Sequence, residues 1–393
     1  MQICHVCPPE EYYSPLTGGA ISTIINQLVV ELTARGHSCR VLAEDDGSTP
    51  YSEGHLEFLV RPKRKEMTIL QRIVSRASAY FNKWDCAKYE YFISGVANIL
   101  MHEPPDVLVL HNDLVGAAVL RKHLPQTQLV VWLHNQLRTN RSRSQQQAMA
   151  SSTDHFIACS DFIAEWSITN LLLPRDKTRT ILAGVDLKSF VPRDDHLQRS
   201  APIRCVYLGR IDKNKGVHIG MEAVAKLQSE GFPLSMSVIG STWFYKRDND
   251  PDQAYLQQIL AQLRDMNGTY FEHQDRLKLP AVLNQHDIAF VLSTVDEPFG
   301  LTNLESMACG LAVIAAKRGG IPEACGGAAT LVEPTDTQAV RDALRELVVN
   351  DQSALQSKKI ASLARARKRP WSVVAGEFER LVGETKSDHP YRQ

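Results

Sequence analysis

Residues Asp296 to Gly310 read DEPFGLTNLESMACG and follow directly on the apolar run IAFVLS. Glu297 therefore falls in a loop at the carboxyl end of a buried strand, ahead of Pro298 and Gly300. Thr302 begins a helix, with Glu305 in its first turn. A helix start offers unpaired amides and the positive end of a dipole, which suits a diphosphate. Carboxylates are poor phosphate ligands but good acceptors for hydroxyl groups. Glu297 and Glu305 thus suit the two sugars flanking a diphosphate, with Phe299, Gly300, Leu301 and Thr302 forming the loop and helix start against the same ligand. A plainer reading takes Thr302 and Glu305 as a capping box, but it leaves Glu297, Pro298, Phe299 and Gly300 without a reason. Elsewhere, Gly18 and Gly19 follow the first strand and open the first helix, where glycine lets a phosphate approach the backbone. His134 ends the strand QLVVWLH, where an imidazole can hydrogen-bond a sugar hydroxyl. Gly240 and Ser241 follow the strand LSMSVIG, and LGRIDKNKGVHIG puts Arg210 at a strand end and Lys215 just before a helix.

The Glu297 to Glu305 spacing, with Phe299-Gly300-Leu301 between, resembles the Glu-x7-Glu motif of glycosyltransferase family 4, the glycosyl transferases of group 1. The following IAAKRGGIPEACGG is similar to that family's next strand and glycine-rich turn, and ILAGVDLKSFVP to its turn before the interdomain linker. The resemblance implies a retaining, metal-independent transferase of GT-B fold, moving a hexose-type sugar from a nucleotide diphosphate sugar to an acceptor hydroxyl. UDP is the family's commonest donor nucleotide. It further implies that Arg210 and Lys215 neutralise the donor diphosphate, that His134 lies beside the donor sugar, and that Glu297 steadies the transferred sugar. These four residues are the expected catalytic set. The acceptor then attacks on the face from which the diphosphate leaves, so no enzymic nucleophile is needed. The chain departs from the family pattern at Asn135, where an aspartate often follows the histidine. It departs again at FEHQDRLKLP, where Arg276 and Leu277 stand as the candidates for the nucleobase. A sugar-nucleotide 2-epimerase and an inactive sugar-nucleotide sensor are the competing readings.

No cofactor or metal is expected. Asp248-Asn249-Asp250 imitates a metal-binding Asp-x-Asp, but it lies in a polar stretch before a helix. Arg138, Arg141 and Arg143 follow His134 closely and are candidates for the acceptor, whether a glycan, a lipid-linked molecule or a small molecule. Arg61, Lys63, Arg64, Lys65, Arg72 and Arg76 form a second basic group, read as a solvated face or as contact with an anionic acceptor or a lipid surface.

The elements that must position these residues alternate in type. Short β-branched runs (QICHVC, HSCRVLA, DVLVLH, QLVVWLH, DHFIACS) are separated by longer amphipathic segments, the rhythm of a parallel α/β sheet. The first helix spans Gly19 to Arg35, and Gly36 suits the left-handed residue after its end. The pattern pauses over Leu187 to Pro202 and restarts with IRCVYLGRI and a helix from Gly216 to about Glu230. We expect two doubly wound, Rossmann-like domains facing across a cleft. Residues 1–195 form the acceptor domain and residues 200–370 the donor domain, with a final helix at about 371–393 packing back on the first.

With 393 residues, of which 44% are hydrophobic, the chain exceeds one ordinary domain. Lysine plus arginine (44) balance aspartate plus glutamate (44), so no global field favours nucleic acid. The scattered cysteines read as reduced core residues, since alternation sends Cys4 and Cys7 to opposite faces of a strand. No leader pattern or membrane-length apolar run is visible, so a soluble cytoplasmic protein is expected, with peripheral membrane contact as the alternative.

Overall fold

The computed structural model describes residues 1–9, 11–16, 19–59, 87–137, 142–197, 201–242, 251–349 and 353–387. Gly18, Arg138, Arg141, the Asp248-Asn249-Asp250 run, Cys86 and the basic group from Arg61 to Arg76 lie outside these residues.

The first strands are apolar on both faces, as strands in the middle of a helix-covered parallel sheet must be. β4 (Val107–His111) and β5 (Gln128–Leu133) are buried at every position. With β1 (Gln2–Val6), β2 (Ser38–Glu44), β3 (His55–Leu59), β6 (His155–Ala158) and β7 (Thr178–Thr180) they form a sheet in the order β3-β2-β1-β4-β5-β6-β7. Each neighbouring pair is parallel. The crossovers are α1 (Ala20–Ala34), α2 (Ala87–His102), α3 (Leu114–Leu120), α4 (Arg143–Ser151) and α5 (Asp161–Leu171). Ile21, Ile24, Ile25, Leu28, Val29 and Leu32 recur at three- and four-residue spacing and give α1 its buried stripe. Gly36 follows the α1 cap at φ +86, the left-handed conformation expected there.

The second sheet repeats the scheme. It comprises β8 (Ile203–Leu208), β9 (Leu234–Ile239), β10 (Thr269–Phe271), β11 (Ile288–Val291), β12 (Ala312–Ala316) and β13 (Thr330–Val332) in the order β10-β9-β8-β11-β12-β13. All its pairs are parallel. Its helices are α6 (Val217–Ser229), α7 (Gln253–Asp265), α8 (Leu279–Leu283), α9 (Leu301–Ala308), α10 (Ile321–Cys325), α11 (Thr337–Val349) and α12 (Ser353–Arg367), and α13 (Trp371–Ser387) closes the described chain. Lys359 on α12 donates to Asp287 at 2.7 Å, both almost wholly buried, and also reaches the His196 carbonyl at 2.8 Å.

The chain divides into two compact units, Met1–Ile181 with Ala375–Gln393, and Leu182–Val374. The division falls ahead of the polar stretch Leu187–Pro202 because Gly184 and Val185 already pack with the second unit. Val185 bridges Pro370 and donates to the Arg369 carbonyl at 2.9 Å. Within the first unit, Glu379 of α13 accepts from Arg35 at 3.0 Å and lies 2.9 Å from His37. Cys4, Cys7, Cys39, Cys159, Cys205, Cys309 and Cys325 are free and buried, and burial pushes Cys4 and Cys309 up to about 12. No helix among the described residues is long and apolar enough to cross a membrane.

Candidate active site

In a doubly wound sheet, ligands gather beyond the carboxyl ends of the strands where the order reverses. In the second unit that point lies between β8 and β11. The loops leaving these two strands carry Arg210 and Lys215 on one side, and Ser293 and Glu297 on the other.

Lys215 Nζ donates to Glu297 Oε1 at 2.5 Å across 82 residues of sequence, the two side chains being 29% and 13% exposed. Ser293 Oγ lies 2.7 Å from the same oxygen and 3.1 Å from the Asn214 carbonyl, which also accepts from the Thr294 amide at 2.8 Å. The Lys215 loop is thus stitched to the Glu297 loop by main chain as well as by charge. Gly216 carries the chain into α6 at φ +70, and a Cβ there would sit 2.0 Å from the Leu292 carbonyl oxygen, so only glycine fits. From behind, the Gly320 amide donates to the Glu297 carbonyl at 2.7 Å and the Gly319 amide to Asp296 Oδ1 at 3.1 Å.

Arg210 is held by its neighbour Asp212, which accepts from Nε at 2.8 Å and from Nη2 at 2.7 Å. The other Asp212 oxygen takes the Asn214 amide at 2.8 Å, so one buried carboxylate both aims the guanidinium and caps the short turn ending at Lys215. The Arg210 side chain remains 37% exposed and reachable by an anion. Gly240 follows β9 beside this loop, so close that a Cβ would meet the Gly209 carbonyl at 1.9 Å.

The capping-box reading of Thr302 and Glu305 needs correction. α9 starts at Leu301 behind Gly300, which sits at φ +87 and makes no side-chain cap, so Thr302 is already inside the helix and the capping box does not form. Glu305, 3% exposed, instead accepts from Arg276 Nη2 at 2.6 Å. The Arg276 guanidinium also lies 5.4 Å from the centre of the Phe190 ring. Phe299 is buried, so its side chain serves packing, whereas Leu277, next to Arg276 in sequence, is 82% exposed.

In the first unit the helix start offered to a phosphate is already occupied. The Glu11 carboxylate accepts from the Ser22 amide of α1 at 3.0 Å, and a Cβ on Gly19 would lie 2.9 Å from Glu11 Oε1. Burial raises the Glu11 carboxyl, against the opposing effect of hydrogen bonds from Ser22, Gly19 and Ile21. His134 follows β5, 6% exposed, its amide donating to Asn112 Oδ1 at 2.7 Å. Burial holds its imidazole down at about 3, so it is neutral at physiological pH. Arg143 is exposed in the first turn of α4, which is capped by Ser142 and Gln145. Among the described residues no cluster of His, Cys, Asp and Glu is arranged to hold a metal ion.

Of these groups, Ser293, Asp212, Phe190 and Glu11 were not singled out from sequence. Ser293 and Asp212 lie within the stretches already quoted, at strand ends, and that position was the available signal. Phe190 lies in ILAGVDLKSFVP with no pattern that singles it out, and Glu11 carried no signal.

Two parallel α/β units with a cation and carboxylate pair at the switch point of the second define the class as a GT-B type transferase. A profile described as "Glycosyltransferase Family 4" matches residues 18–189, and one described as "Glycosyl transferases group 1" matches residues 192–365. The chain belongs to this glycosyltransferase family. It is 25% identical to a glycogen synthase of Mycobacterium tuberculosis over 392 residues, covering 92% of this chain and 90% of that one. Spore coat protein SA of Bacillus subtilis is 26% identical over 218 residues, 52% of this chain and 58% of that protein's length. Among solved structures, Anabaena Alr3699/HepE in complex with UDP and glucose superposes with a TM-score of 0.70 at 16% identity, covering 99% of this chain and 100% of that one.

Proposed function

We propose that the chain transfers a hexose-type sugar from a UDP-sugar to an acceptor hydroxyl with retention of anomeric configuration and without a metal. The observation that carries this reading is the Lys215–Glu297 pair, fixed by Ser293 and the Asn214 carbonyl at the switch point of the second sheet. Lys215 has three N–H donors and gives one to Glu297, so it can also meet a phosphate oxygen. With Arg210 and the first amides of α9, it stabilises the charge that grows on the β-phosphate as the C1–O bond breaks. The acceptor oxygen forms its bond to C1 on the same face, and its proton passes to the departing phosphate oxygen. Glu297, steadied at Oε1, faces the developing positive charge on the sugar. Support for UDP is the likeness to the Anabaena structure, whose ligands are UDP and glucose.

A thermal-shift screen of nucleotide sugars tests donor binding. UDP-sugars should raise the melting temperature of the wild type, as any ligand of the folded state must, and Lys215→Ala should abolish the shift. A screen in which no nucleotide sugar stabilises the wild type removes the basis of the proposal.

A further inference from the structure

In the second unit, a buried hydroxyl outside the groups described above reaches the loop that carries Arg210. Tyr207 is the fifth residue of β8 and 3% exposed, on the same face of the strand as Ile203 and Cys205, and its ring packs with them in the apolar core. Phenylalanine would fill that place equally well. The hydroxyl, like any buried phenol, needs a partner of its own. It donates to the Arg210 carbonyl at 2.6 Å. A Cβ on Gly209 would lie 3.2 Å from that hydroxyl, so the bare backbone there gives the phenol its passage. Burial, and then the nearby Asp212 carboxylate, hold the phenol well above its usual value, so it stays a donor.

The bond falls on a peptide that is held at both edges. At the other edge of the Arg210–Ile211 peptide, the Ile211 amide donates to the Ser241 carbonyl at 2.9 Å, and just before it the Gly209 amide donates to the Ile239 carbonyl at 3.1 Å. A peptide unit is planar, so fixing both its N–H and its C=O leaves it no free rotation. The Arg210 carbonyl also takes the Asp212 amide at 3.2 Å, and the Lys215 amide donates to the Asp212 carbonyl at 3.1 Å. Asp212 in turn grips the guanidinium of Arg210 and the Asn214 amide. The orientation of one peptide is thus passed to both cations. At the far end the turn has no slack, because Gly216 is pressed against the Leu292 carbonyl. Tyr207 supplies the constraint at the near end, and it does so from the core of the sheet.

We propose that Tyr207 is a positioning residue for sugar transfer, its hydroxyl setting the Arg210–Ile211 peptide and so the direction in which Arg210 meets the terminal phosphate of a nucleoside diphosphate. The phosphate half rests on the sugar-transfer reading, while the peptide half rests on the geometry of the loop alone. Tyr207 itself touches no ligand. Loss of its hydroxyl weakens the grip on a diphosphate and leaves a nucleotide without the second phosphate nearly unaffected.

Tyr207→Phe keeps the ring in the core and deletes only the hydroxyl. Titration calorimetry of the wild type and this variant with UDP and with UMP tests the phosphate half. Affinity for UDP should fall on the order of tenfold, the worth of one buried hydrogen bond, while affinity for UMP stays within about twofold. A loss shared equally by UDP and UMP, or no loss at all, means that the tyrosine only fills the core, and overturns the proposal. Side-chain ¹⁵N spectra of arginine test the peptide half without ligand. The Nε–H signal of Arg210, identified by its disappearance in Arg210→Lys, should exchange slowly with water in the wild type and faster in Tyr207→Phe. An exchange rate unchanged in that variant means that the hydroxyl does not hold Arg210, and the proposal falls. If neither nucleotide binds the wild type, the failure belongs to the donor reading, and the Arg210 signal still decides the peptide half.

Discussion

Lys215 and Glu297 compensate one another in a partly buried site, so removing either changes both the charge presented to a donor and the position of its partner. Lys215→Ala and Glu297→Gln should each lower kcat on the order of 10²-fold, the magnitude typical of losing one electrostatic group in a preorganised site. Steady-state rates with the identified donor check this, and wild-type rates in either variant would contradict it. The buried histidines give a second prediction. His5 and His134 fall from 6.5 to about 3 on folding. Below about pH 6.5 the unfolded chain takes up protons that the folded chain refuses, so stability is lost as pH falls through the interval between those values. Each should remove about 2 kcal/mol between pH 7 and pH 5. Denaturant melts at the two pH values measure it, and equal stability at both would count against burial of the rings in neutral form. Arg210, Lys215, Glu297 and His134 stood out in the sequence because strand ends and helix starts are visible as pattern. Their pairings did not, because Lys215 meets Glu297 across 82 residues, Arg276 meets Glu305 across 29, and His5 meets His111 across 106.

At the scale of elements, the turn between β12 and α10 braces the Glu297 loop. Gly319 sits at φ +52, and a Cβ there would lie 2.2 Å from the Glu297 carbonyl oxygen. Gly319→Ala should push that loop away from Lys215, lowering kcat together with the melting temperature, at a cost of about 1–2 kcal/mol for the left-handed backbone alone. Thermal melts and rates on the same preparation check it, and an unchanged rate would show that the turn does not hold Glu297. The alternating strands and the stripe of α1 were legible because burial on a parallel sheet repeats with fixed period. The start of α9 was misread, since Thr302 and Glu305 satisfy the capping pattern and nothing local reveals that Gly300 turns left-handed and starts the helix a residue early. The start of α1 at Gly19 was legible, but the carboxylate that meets its amides was not. Glu11 reaches its amides from a loop without periodicity.

Over the whole molecule, the repeat of a strand and helix scheme in two halves was readable. The boundary was harder to place, because composition marks the polar stretch Leu187–Pro202 while packing assigns Leu182 onward, and Ala375–Gln393, by contacts distant in sequence. On the proposed reading the Arg210 guanidinium and the Lys215 ammonium serve the diphosphate, so transfer should survive excess chelator, and loss of activity restored by a single divalent ion would overturn that part of the mechanism. The most direct test of sugar transfer is incubation of the protein with the donor selected by thermal shift, with and without a mixture of candidate acceptors, followed by mass detection of every product. The account predicts a glycosylated acceptor and an equal amount of free nucleoside diphosphate, formed only when acceptor is present. An epimerised sugar appearing from the donor alone, or a donor left intact with every acceptor, would contradict it.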